Sequence, residues 1–403
     1  MQTQNATRAI VLNTDSHRDS TFIQTAAPNG KSIWPSHQTS THSTMETSTV
    51  MSSTAISAAI LDAGGYIEFS LPKLNRKIDT LTLEVTLTGG DSLVGIRQAF
   101  LMVDKVEYFA GSSFLGSSDW MSSYLHHCLM NSDEMILAKS RHTNTGADFQ
   151  VQTQSLQADE ERVFYIPVTG MLQGLCPGLL NESLRLRVHF SKDLFTVKLP
   201  TQAAPSVTKC HLLMEAVSMT PGEVSELASV YQSNKFTHRY HEPRVQRVNV
   251  TMNPAQNFTV SLQNFYGSFS QIWVAIISAS VDPIYATTFI DELKSLHITT
   301  SDSKIAMGGS ILQGSWVQYA HADSFPSSFL HNHAVYPLCA SKHPFVGLAQ
   351  GSHNGSLDLT ARGETLHILS PSTAVPSTPR KILIVGWHVS ALRVQNGNIV
   401  ALR

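Results

Sequence analysis

The sequence contains eighteen histidines, the residue type that most often binds metals or transfers protons near neutral pH. The densest groups are His126 with His127 and the pair His331 and His333. On a strand, His331 and His333 would point to the same face and could chelate a metal ion. No acidic residue lies close in sequence to complete such a site. We therefore predict no metal site and expect these histidines in exposed loops or at interfaces. At an interface between subunits, their protonation at about pH 6 would loosen the assembly.

Motifs of nucleophilic, phosphate-binding and metalloprotease chemistry are absent from the sequence, which has no GxSxG, no P-loop and no HExxH. Residues 111–116 are rich in Gly and Ser but lack the Lys of a phosphate loop, so we predict a turn. Glu160 and Glu161 lie in a polar segment, which is typical of a solvated pair. The four cysteines lack CxxC spacing and are expected to be buried thiols: Cys128, Cys176, Cys210 and Cys339. We predict no enzyme activity and no cofactor.

Tryptophans could form a binding platform where they are exposed. Trp273 and Trp387 lie in apolar runs, so we expect them in a core. Trp316 lies in a stretch rich in Ser, Gly and His, residues 308–334, which we expect to be a long irregular loop. Loops of that length usually form interfaces or have another function. We predict that Trp316, His331 and His333 make outer-loop or interface contacts, Trp316 with another subunit or a receptor.

The composition describes a neutral-polar surface on a chain long enough for two domains. The chain has 403 residues, 14% of them charged, and a net charge of -2. Few charges would need desolvation if such a surface packed against copies of itself. The balance is unlike that of a strongly basic protein that coats nucleic acid. Residues 1–13 lack the pattern of a signal peptide. No apolar run is close to the length of a membrane span, which is about 20 residues.

Residues 1–55 are rich in Ser, Thr, Gln and His and poor in aliphatic side chains. Such a segment cannot bury enough apolar area to offset the entropy of ordering it, so we expect a flexible polar arm. Its acidic and basic residues cancel, which argues against an arm that neutralises phosphates. Two interpretations stay open: an arm that orders on a neighbouring subunit, or a disordered terminus.

Strand patterns begin near residue 65. Residues 81–88 alternate between apolar side chains and Thr or Glu, and residues 184–190 alternate most cleanly. In the second half, residues 272–277 form a continuous apolar run of buried-strand length. Further predicted strands cover 66–71, 99–104, 106–109, 163–168, 258–262, 366–369 and 381–387, and Pro167 indicates an edge or an exit. Strands at this density favour a β-sandwich or a jelly roll.

One helix is predicted near the middle of the chain. Thr220 and Glu223 have the spacing of a capping box, with Pro221 at the first helical position. Apolar residues follow at helical spacing: Val224, Leu227 and Tyr231. The helix is expected to end near residue 234, where a connector between two similar β-domains would lie.

The second half carries several sequence elements in a characteristic order. Residues 388–397 contain Leu392, Arg393, Val394 and Gly397, and they resemble a closing strand in which Asn-Tyr-Asn leads into Leu-Arg-Ile and a Gly. His388 and Ser390 stand at two of those Asn positions. Residues 271–274 resemble a Leu-Ile-Trp strand after an Asn-rich turn. Residues 335–340 lead through a Lys-Pro loop to 354–359, which is similar to a Ser-Gly-x-Asn-Phe-Ser segment.

In the first half, residues 165–167 followed by 184–186 are similar to the strands that close a first jelly roll, and residues 215–240 match an inter-domain helix in position. Together these elements, from residue 65 to 403, resemble the double jelly-roll major capsid proteins of double-stranded DNA viruses. That family includes the nucleocytoplasmic large DNA viruses and their polinton-like, virophage and adenovirus-like relatives.

The resemblance implies an all-β fold of two consecutive eight-stranded jelly rolls with a short inter-domain helix and a flexible N-terminal arm. The domains would be the arm at 1–55, a first jelly roll at 56–245 that ends in the connector helix (about 220–234), and a second jelly roll at 246–403. It also implies a major capsid protein, located in the virion, whose pseudo-hexagonal trimers tile an icosahedral shell around a double-stranded DNA genome.

The partners implied are other copies of the chain and minor capsid or penton proteins, with an internal membrane beneath the shell as in many such viruses, and no sequence-specific nucleic-acid binding. An alternative is a carbohydrate- or receptor-binding β-sandwich module, such as a viral attachment protein or a lectin. That alternative predicts a signal peptide or clustered exposed aromatic residues. A β-sandwich hydrolase would need paired carboxylates or a nucleophile at informative spacing, which the sequence lacks.

Overall fold

The computed structural model describes residues 45–90, 93–145, 154–168, 170–192, 195–197, 204–233, 236–278, 293–299, 312–321, 325, 334–339, 357–359, 364–370 and 378–402. The strands of the first half are β1 (Met45–Met51), β2 (Gly65–Ser70), β3 (Arg76–Thr88), β4 (Val94–Ile96), β5 (Val103–Ala110), β6 (Ser113–Asp119), β7 (Gln154–Leu156), β8 (Glu161–Val168), β9 (Leu184–Phe190), β10 (Thr196–Val197) and β11 (Ser206–Ser218).

The strands of the second half are β12 (Phe236–Met252), β13 (Asn257–Ser261), β14 (Gly267–Ser278), β15 (Ser295–Thr299), β16 (Leu312–Gln313), β17 (Val335–Cys339), β18 (Leu357–Leu359), β19 (Thr365–Leu369), β20 (Thr378–Gln395) and β21 (Asn398–Leu402). The helices are α1 (Ile60–Ala63), α2 (Trp120–Met130), α3 (Asp133–Thr143), α4 (Pro221–Gln232) and α5 (Gly314–His321), with 3-10 turns at Ala99–Met102 and Pro177–Leu179.

Both halves have the same sheet topology. In the first half, two antiparallel sheets have the strand orders β1-β11-β3-β8 and β2-β9-β5-β6. In the second half the corresponding orders are β12-β20-β14-β17 and β13-β19-β15-β16. If the main strands of each half are numbered in chain order, leaving out β4, β7, β10, β18 and β21, both halves read 1-8-3-6 and 2-7-4-5. This is the order of an eight-stranded jelly roll, so the predicted double jelly roll is confirmed.

The first jelly roll is built from strands that bury one face. Along β3, Leu83, Val85 and Leu87 point into the core, while Thr82 and Glu84 lie on the opposite face and are half-buried. The side chains of a strand alternate between the two faces of its sheet, so this pattern places a single apolar face against the core. The same applies to β9, whose bounds coincide with the predicted strand.

The second jelly roll contains a sheet that is buried on both faces. In β14, Ile272, Val274 and Ile276 belong to the core of the second jelly roll. The intervening Trp273 and Ala275 belong to the core cluster of the first jelly roll. A strand covered on both sides has no polar face, which explains the continuous apolar run in the sequence.

Helix α4 begins as the sequence predicts. The Thr220 hydroxyl accepts a hydrogen bond from the Glu223 amide at 3.3 Å, and the Glu223 carboxylate accepts one from the Thr220 amide at 2.7 Å. This reciprocal pair satisfies two amide donors that the first turn of a helix leaves without partners. The helix connects β11 of the first jelly roll to β12 of the second.

Three expectations need correction. Residues 45–51, within the predicted arm, form β1 and pair with β11 over their whole length, because the long-range backbone ladder compensates for their polar composition. Residues 99–102 form a 3-10 turn instead of a strand, and all four side chains are buried. The predicted loop at 308–334 contains β16 and α5. Residues 1–44 lie outside the described part of the chain.

One local prediction is confirmed, and another holds only in part. The turn predicted for residues 111–116 is limited to Gly111, with a φ of +56°, and Ser112, because residues 113–116 belong to β6. Pro167 lies in β8, which is an edge strand of its sheet, where a missing amide donor is tolerated. Among the helices in the described part of the chain, none is long and apolar enough to cross a membrane.

Candidate self-association surfaces

The two jelly rolls are joined by one apolar face, here called the packed face: the outward side of the sheet β12-β20-β14-β17. Its central side chains are Trp273, Ala275, Leu383, Val385 and Trp387, all of them at most 2% exposed. The two indole rings meet edge to face with centroids 5.3 Å apart. Because these side chains share a core cluster with the first jelly roll, each half contributes to the stability of the other.

On the first jelly roll, the packed face meets β6 and helix α2. The ring centroids of His126 and Trp387 are 5.3 Å apart. The carboxylate of Asp119 has two roles, since Oδ1 accepts from the Ser122 amide at the start of α2 and Oδ2 pairs with Arg247 at 2.8 Å. A cap and an inter-domain ion pair therefore depend on one side chain.

The last two strands also hold the first jelly roll. Strands β20 and β21 form a hairpin whose turn contains Asn396 and Gly397, both with positive φ. The Asn181 amide donates to the Gly397 carbonyl at 2.8 Å, and the Asn181 side chain donates to the Asn396 carbonyl at 2.7 Å. Asn181 also begins an Asn-x-Ser sequon, so a glycan would attach at the nitrogen that makes the second of these bonds.

Two of the histidines that we expected in loops or interfaces lie on α2. His127 is 3% exposed, and burial lowers the pKa of His127 to about 3 and that of His126 to about 4. These two rings are therefore neutral at physiological pH. His126 does lie at an interface, but within the chain. His331 and His333 lie outside the described residues, so their contact role stays a prediction.

A Ser-His-Glu cluster forms where β12, β14 and β20 meet. The Ser390 hydroxyl donates to Glu242 at 3.3 Å and lies 2.7 Å from His388 Nδ1. Burial, and secondarily Arg244, lowers the pKa of His388 to about 4. A nucleophilic serine must be exposed and must give its proton to the histidine. Ser390 is only 7% exposed, so the cluster is a buried hydrogen-bond network between strands.

The thiols give no sign of reactivity. All four cysteines are buried and free. Burial raises the pKa of each thiol, that of Cys210 to about 12, so they are protonated at neutral pH. Within the ranges that the structure describes, no three His, Cys, Asp or Glu side chains are grouped as a metal site would need.

The outward side of the sheet β2-β9-β5-β6 carries a network of arginine and aromatic side chains. Glu68 pairs with Arg185 at 2.6 Å and with Arg187 at 3.0 Å. Burial alone would raise the pKa of Glu68, but its hydrogen bonds and ion pairs with the two arginines outweigh burial and hold it below its ordinary value. The Arg187 guanidinium lies over the rings of Tyr66 at 4.6 Å and Phe109 at 5.1 Å. These contacts keep a half-exposed face rigid.

Trp316 lies on helix α5 and not in an irregular loop. It is 55% exposed, and Tyr319, one turn later, is 74% exposed. Their ring centroids are 5.6 Å apart, so the two rings form one aromatic patch. Val317, on the opposite side of the helix, is buried, and the Gln318 side chain donates to the Val335 carbonyl at 3.2 Å. The helix is thus held on β17 while its aromatic side faces outward.

Comparisons with known proteins give a consistent fold. No protein-family model and no curated protein matches the sequence. The chain is similar to the protein in a quasi-atomic model of the PBCV-1 virus capsid, with 12% identity, 93% of this chain and 99% of that chain covered, and a TM-score of 0.65.

Two further solved structures are similar over comparable lengths. For the Faustovirus major capsid protein, the identity is 10%, the coverage 90% of this chain and 92% of that one, and the TM-score 0.63. For the mavirus major capsid protein, the identity is 10%, the coverage 92% of this chain and 93% of that one, and the TM-score 0.53. The chain therefore has the double jelly-roll fold that these viral major capsid proteins share.

Proposed function

We propose that the chain is a major capsid protein that self-assembles into pseudo-hexagonal trimers, which tile an icosahedral shell around a double-stranded DNA genome. The observation that carries the proposal is the fold match, which extends over nearly the whole length of both chains and includes both jelly rolls. Its location would be the virion.

The physical argument concerns rigidity and surface. Two jelly rolls fused through the packed face form one rigid body, which suits a building block that must repeat with the same geometry. The net charge of -2 and the low content of charged residues reduce the desolvation needed when copies meet. A structural role without catalysis fits the buried thiols and the buried Ser390 cluster.

Other partners follow from the geometry of the shell. At the vertices of an icosahedral shell a pseudo-hexagonal unit does not match the local symmetry, so we propose penton or minor capsid proteins as partners there. An internal membrane beneath the shell is compatible with this proposal, and sequence-specific binding of nucleic acid is not part of it.

The test is the mass and shape of the purified full-length chain. Light scattering after size-exclusion chromatography should give three chain masses, and electron microscopy should show particles with a hexagonal outline that form shells at high concentration. A chain that stays monomeric at all concentrations and binds a glycan column would contradict the proposal and would support the alternative, a carbohydrate- or receptor-binding module.

A further inference from the structure

The two jelly rolls share an element that the strand order alone does not show. In each half, the fifth main strand runs directly into a helix: β6 into α2, and β16 into α5. The two helices therefore occupy equivalent positions in a repeated fold. Their surroundings in the single chain are very different.

Helix α2 of the first jelly roll is covered by the packed face of the second. His126 contacts Trp387, and Arg247 on β12 pairs with Asp119 at the start of the helix. In the numbering of main strands, the 1-8-3-6 sheet of the second jelly roll therefore covers the helix that follows strand 5 of the first jelly roll.

Helix α5 of the second jelly roll exposes the patch of Trp316 and Tyr319. In soluble proteins Trp and Tyr are concentrated at the centres of protein interfaces, because they combine a large apolar surface with one hydrogen-bond donor. The equivalence with α2 indicates what kind of surface would cover this patch: a sheet of strands 1-8-3-6 from a jelly roll of the first type.

That sheet exists in the chain with its outward side exposed. On β1-β11-β3-β8, Thr49 is paired with Leu213, and Leu213 with Thr82, so these three side chains form a row across three strands. Thr49 is exposed and the other two are half-buried. On β8, α3 covers the edge of the sheet, where the His142 and Tyr165 rings lie 5.1 Å apart.

We propose that the Trp316–Tyr319 patch of one copy docks on the outward side of β1-β11-β3-β8 of a second copy, centred on the row of Thr49, Leu213 and Thr82. The contact repeats between chains the arrangement that joins the two jelly rolls within a chain. Because two different surfaces meet, the contact is head-to-tail, and head-to-tail contacts close into rings when the rotation allows. This inference rests on the proposed self-assembly and names the surfaces that carry it.

The chemistry of the two surfaces is complementary. Helix α5 has no acidic, Lys or Arg side chain, so the helix itself brings no carboxylate, ammonium or guanidinium group into the contact. The indole N–H and the phenol O–H need acceptors, and the sheet offers the hydroxyls of Thr49 and Thr82 and the carboxylates of Glu84 and Glu215. Leu213 supplies apolar area at the centre. A mixed surface of this kind is stable in water before assembly, which the apolar packed face would not be.

The first experiment compares the full-length wild type with a W316S/Y319S variant in dilution series followed by light scattering. The variant should need at least about tenfold higher concentration to form the trimer, since central aromatic residues carry much of the binding energy of interfaces. The matched control is Tyr66→Ser, which removes a ring of similar exposure (48%) from the other sheet and should leave the dissociation curve unchanged. Equal curves for the wild type and W316S/Y319S would overturn the inference.

The second experiment maps the contact by cross-linking and stays informative if a variant assembles poorly. The native cysteines are buried, so a Y319C/T49C chain presents two accessible thiols at positions that are exposed in the wild type. A short bis-maleimide should join them between chains and give covalent dimers and trimers. Y319C/Y66C, with its second thiol on the other sheet, should give none. Equal products from both pairs would refute the docking surface while leaving the trimer intact.

The outcomes separate the two proposals. A wild-type chain that never self-associates contradicts both the proposed function and the inference. If the wild type forms a trimer and W316S/Y319S forms it equally well, only the inference is contradicted. Glycan binding that W316S/Y319S abolishes without any change in the trimer would also overturn the inference, because the patch would then face a carbohydrate.

Discussion

The sheets β1-β11-β3-β8 and β12-β20-β14-β17 have the same strand order but opposite environments. In the first sheet, the side chains of Thr82 and Glu84 on β3 face outward, while those of Leu83 and Val85 are buried. In the second, every residue from 272 to 277 of β14 is buried. One sheet is covered on one side, and the other lies between two cores.

This difference teaches that strand patterning reports how many sides of a sheet are covered within the chain. The outward side of the first sheet stays polar because the folded chain leaves it in water. The same side of the second sheet is apolar because the first jelly roll covers it during folding. The first three predictions below each have a control on the first sheet, and the last concerns the rim of the packed face.

The largest effect is expected from a charge on the packed face. Ala275→Glu places a carboxylate at a position that is 1% exposed, in the middle of the shared core. Burying an unpaired charge should cost more than about 4 kcal/mol, enough to leave the chain unfolded or the two halves separated. Thr82→Glu, on the corresponding strand of the first sheet, should leave the fold intact. Circular dichroism and limited proteolysis check both, and a well-folded A275E chain would refute the two-sided burial of β14.

The next effect is expected from truncation. Trp387→Ala removes a ring that contacts both Trp273 and His126, and should cost about 3–5 kcal/mol because the space cannot close fully. Thr47→Ala, at an exposed position of β1 in the first sheet, should change the free energy of unfolding by less than about 0.5 kcal/mol. Urea denaturation at equal protein concentration measures both. Equal losses would mean that the two sheets are buried alike.

Much of this contrast could be predicted from sequence. The alternation over 81–88 identifies the buried and outward residues of β3 except for Thr86, which is 2% exposed, and the run over 272–277 correctly places Trp273 in a core. The sequence could not show that this core belongs to the other jelly roll, since an apolar side chain carries no information about its partner. The capping box located α4 because its signal is local, within four residues.

Non-local elements were harder to predict. The polar residues of β1 predict a flexible arm, and only the ladder with β11 makes them a strand. Helix α5 was missed because it is short and its one clearly buried aliphatic side chain, Val317, gives no helical period. The exposure of Trp316 was predicted from its polar neighbours, while its pairing with Tyr319 depends on a helix that the sequence did not reveal.

Acid should weaken the contact at the packed face. The pKa of His126 is lowered to about 4 by burial, below the unfolded value of about 6.5. The unfolded chain therefore binds more protons between these two values. The contribution of His126 to the free energy of unfolding is fully present above about pH 6.5. It falls by about 1–3 kcal/mol as the pH drops towards 4.

The test compares melting temperatures from pH 8 to pH 4. His126→Gln should give a shallower loss below pH 6.5 than the wild type. Thr47→Ala, at an exposed position of β1, changes no titratable group; it is the control on the first sheet and should follow the wild-type curve. If His126→Gln also follows the wild type, burial of His126 against Trp387 is not a source of acid sensitivity.

The smallest effects are expected at the rim of the packed face, where Asp119 caps α2 and pairs with Arg247. Arg247→Met removes only the ion pair, and because Arg247 is about a third exposed the loss should be below about 1 kcal/mol. Asp119→Ala removes the pair and the cap together and should cost about 1–2 kcal/mol. Urea denaturation of both variants and of the double variant separates the contributions, since the double variant should lose no more than D119A alone. A loss for R247M as large as that for D119A would mean that the ion pair, and not the cap, makes the main contribution at this rim.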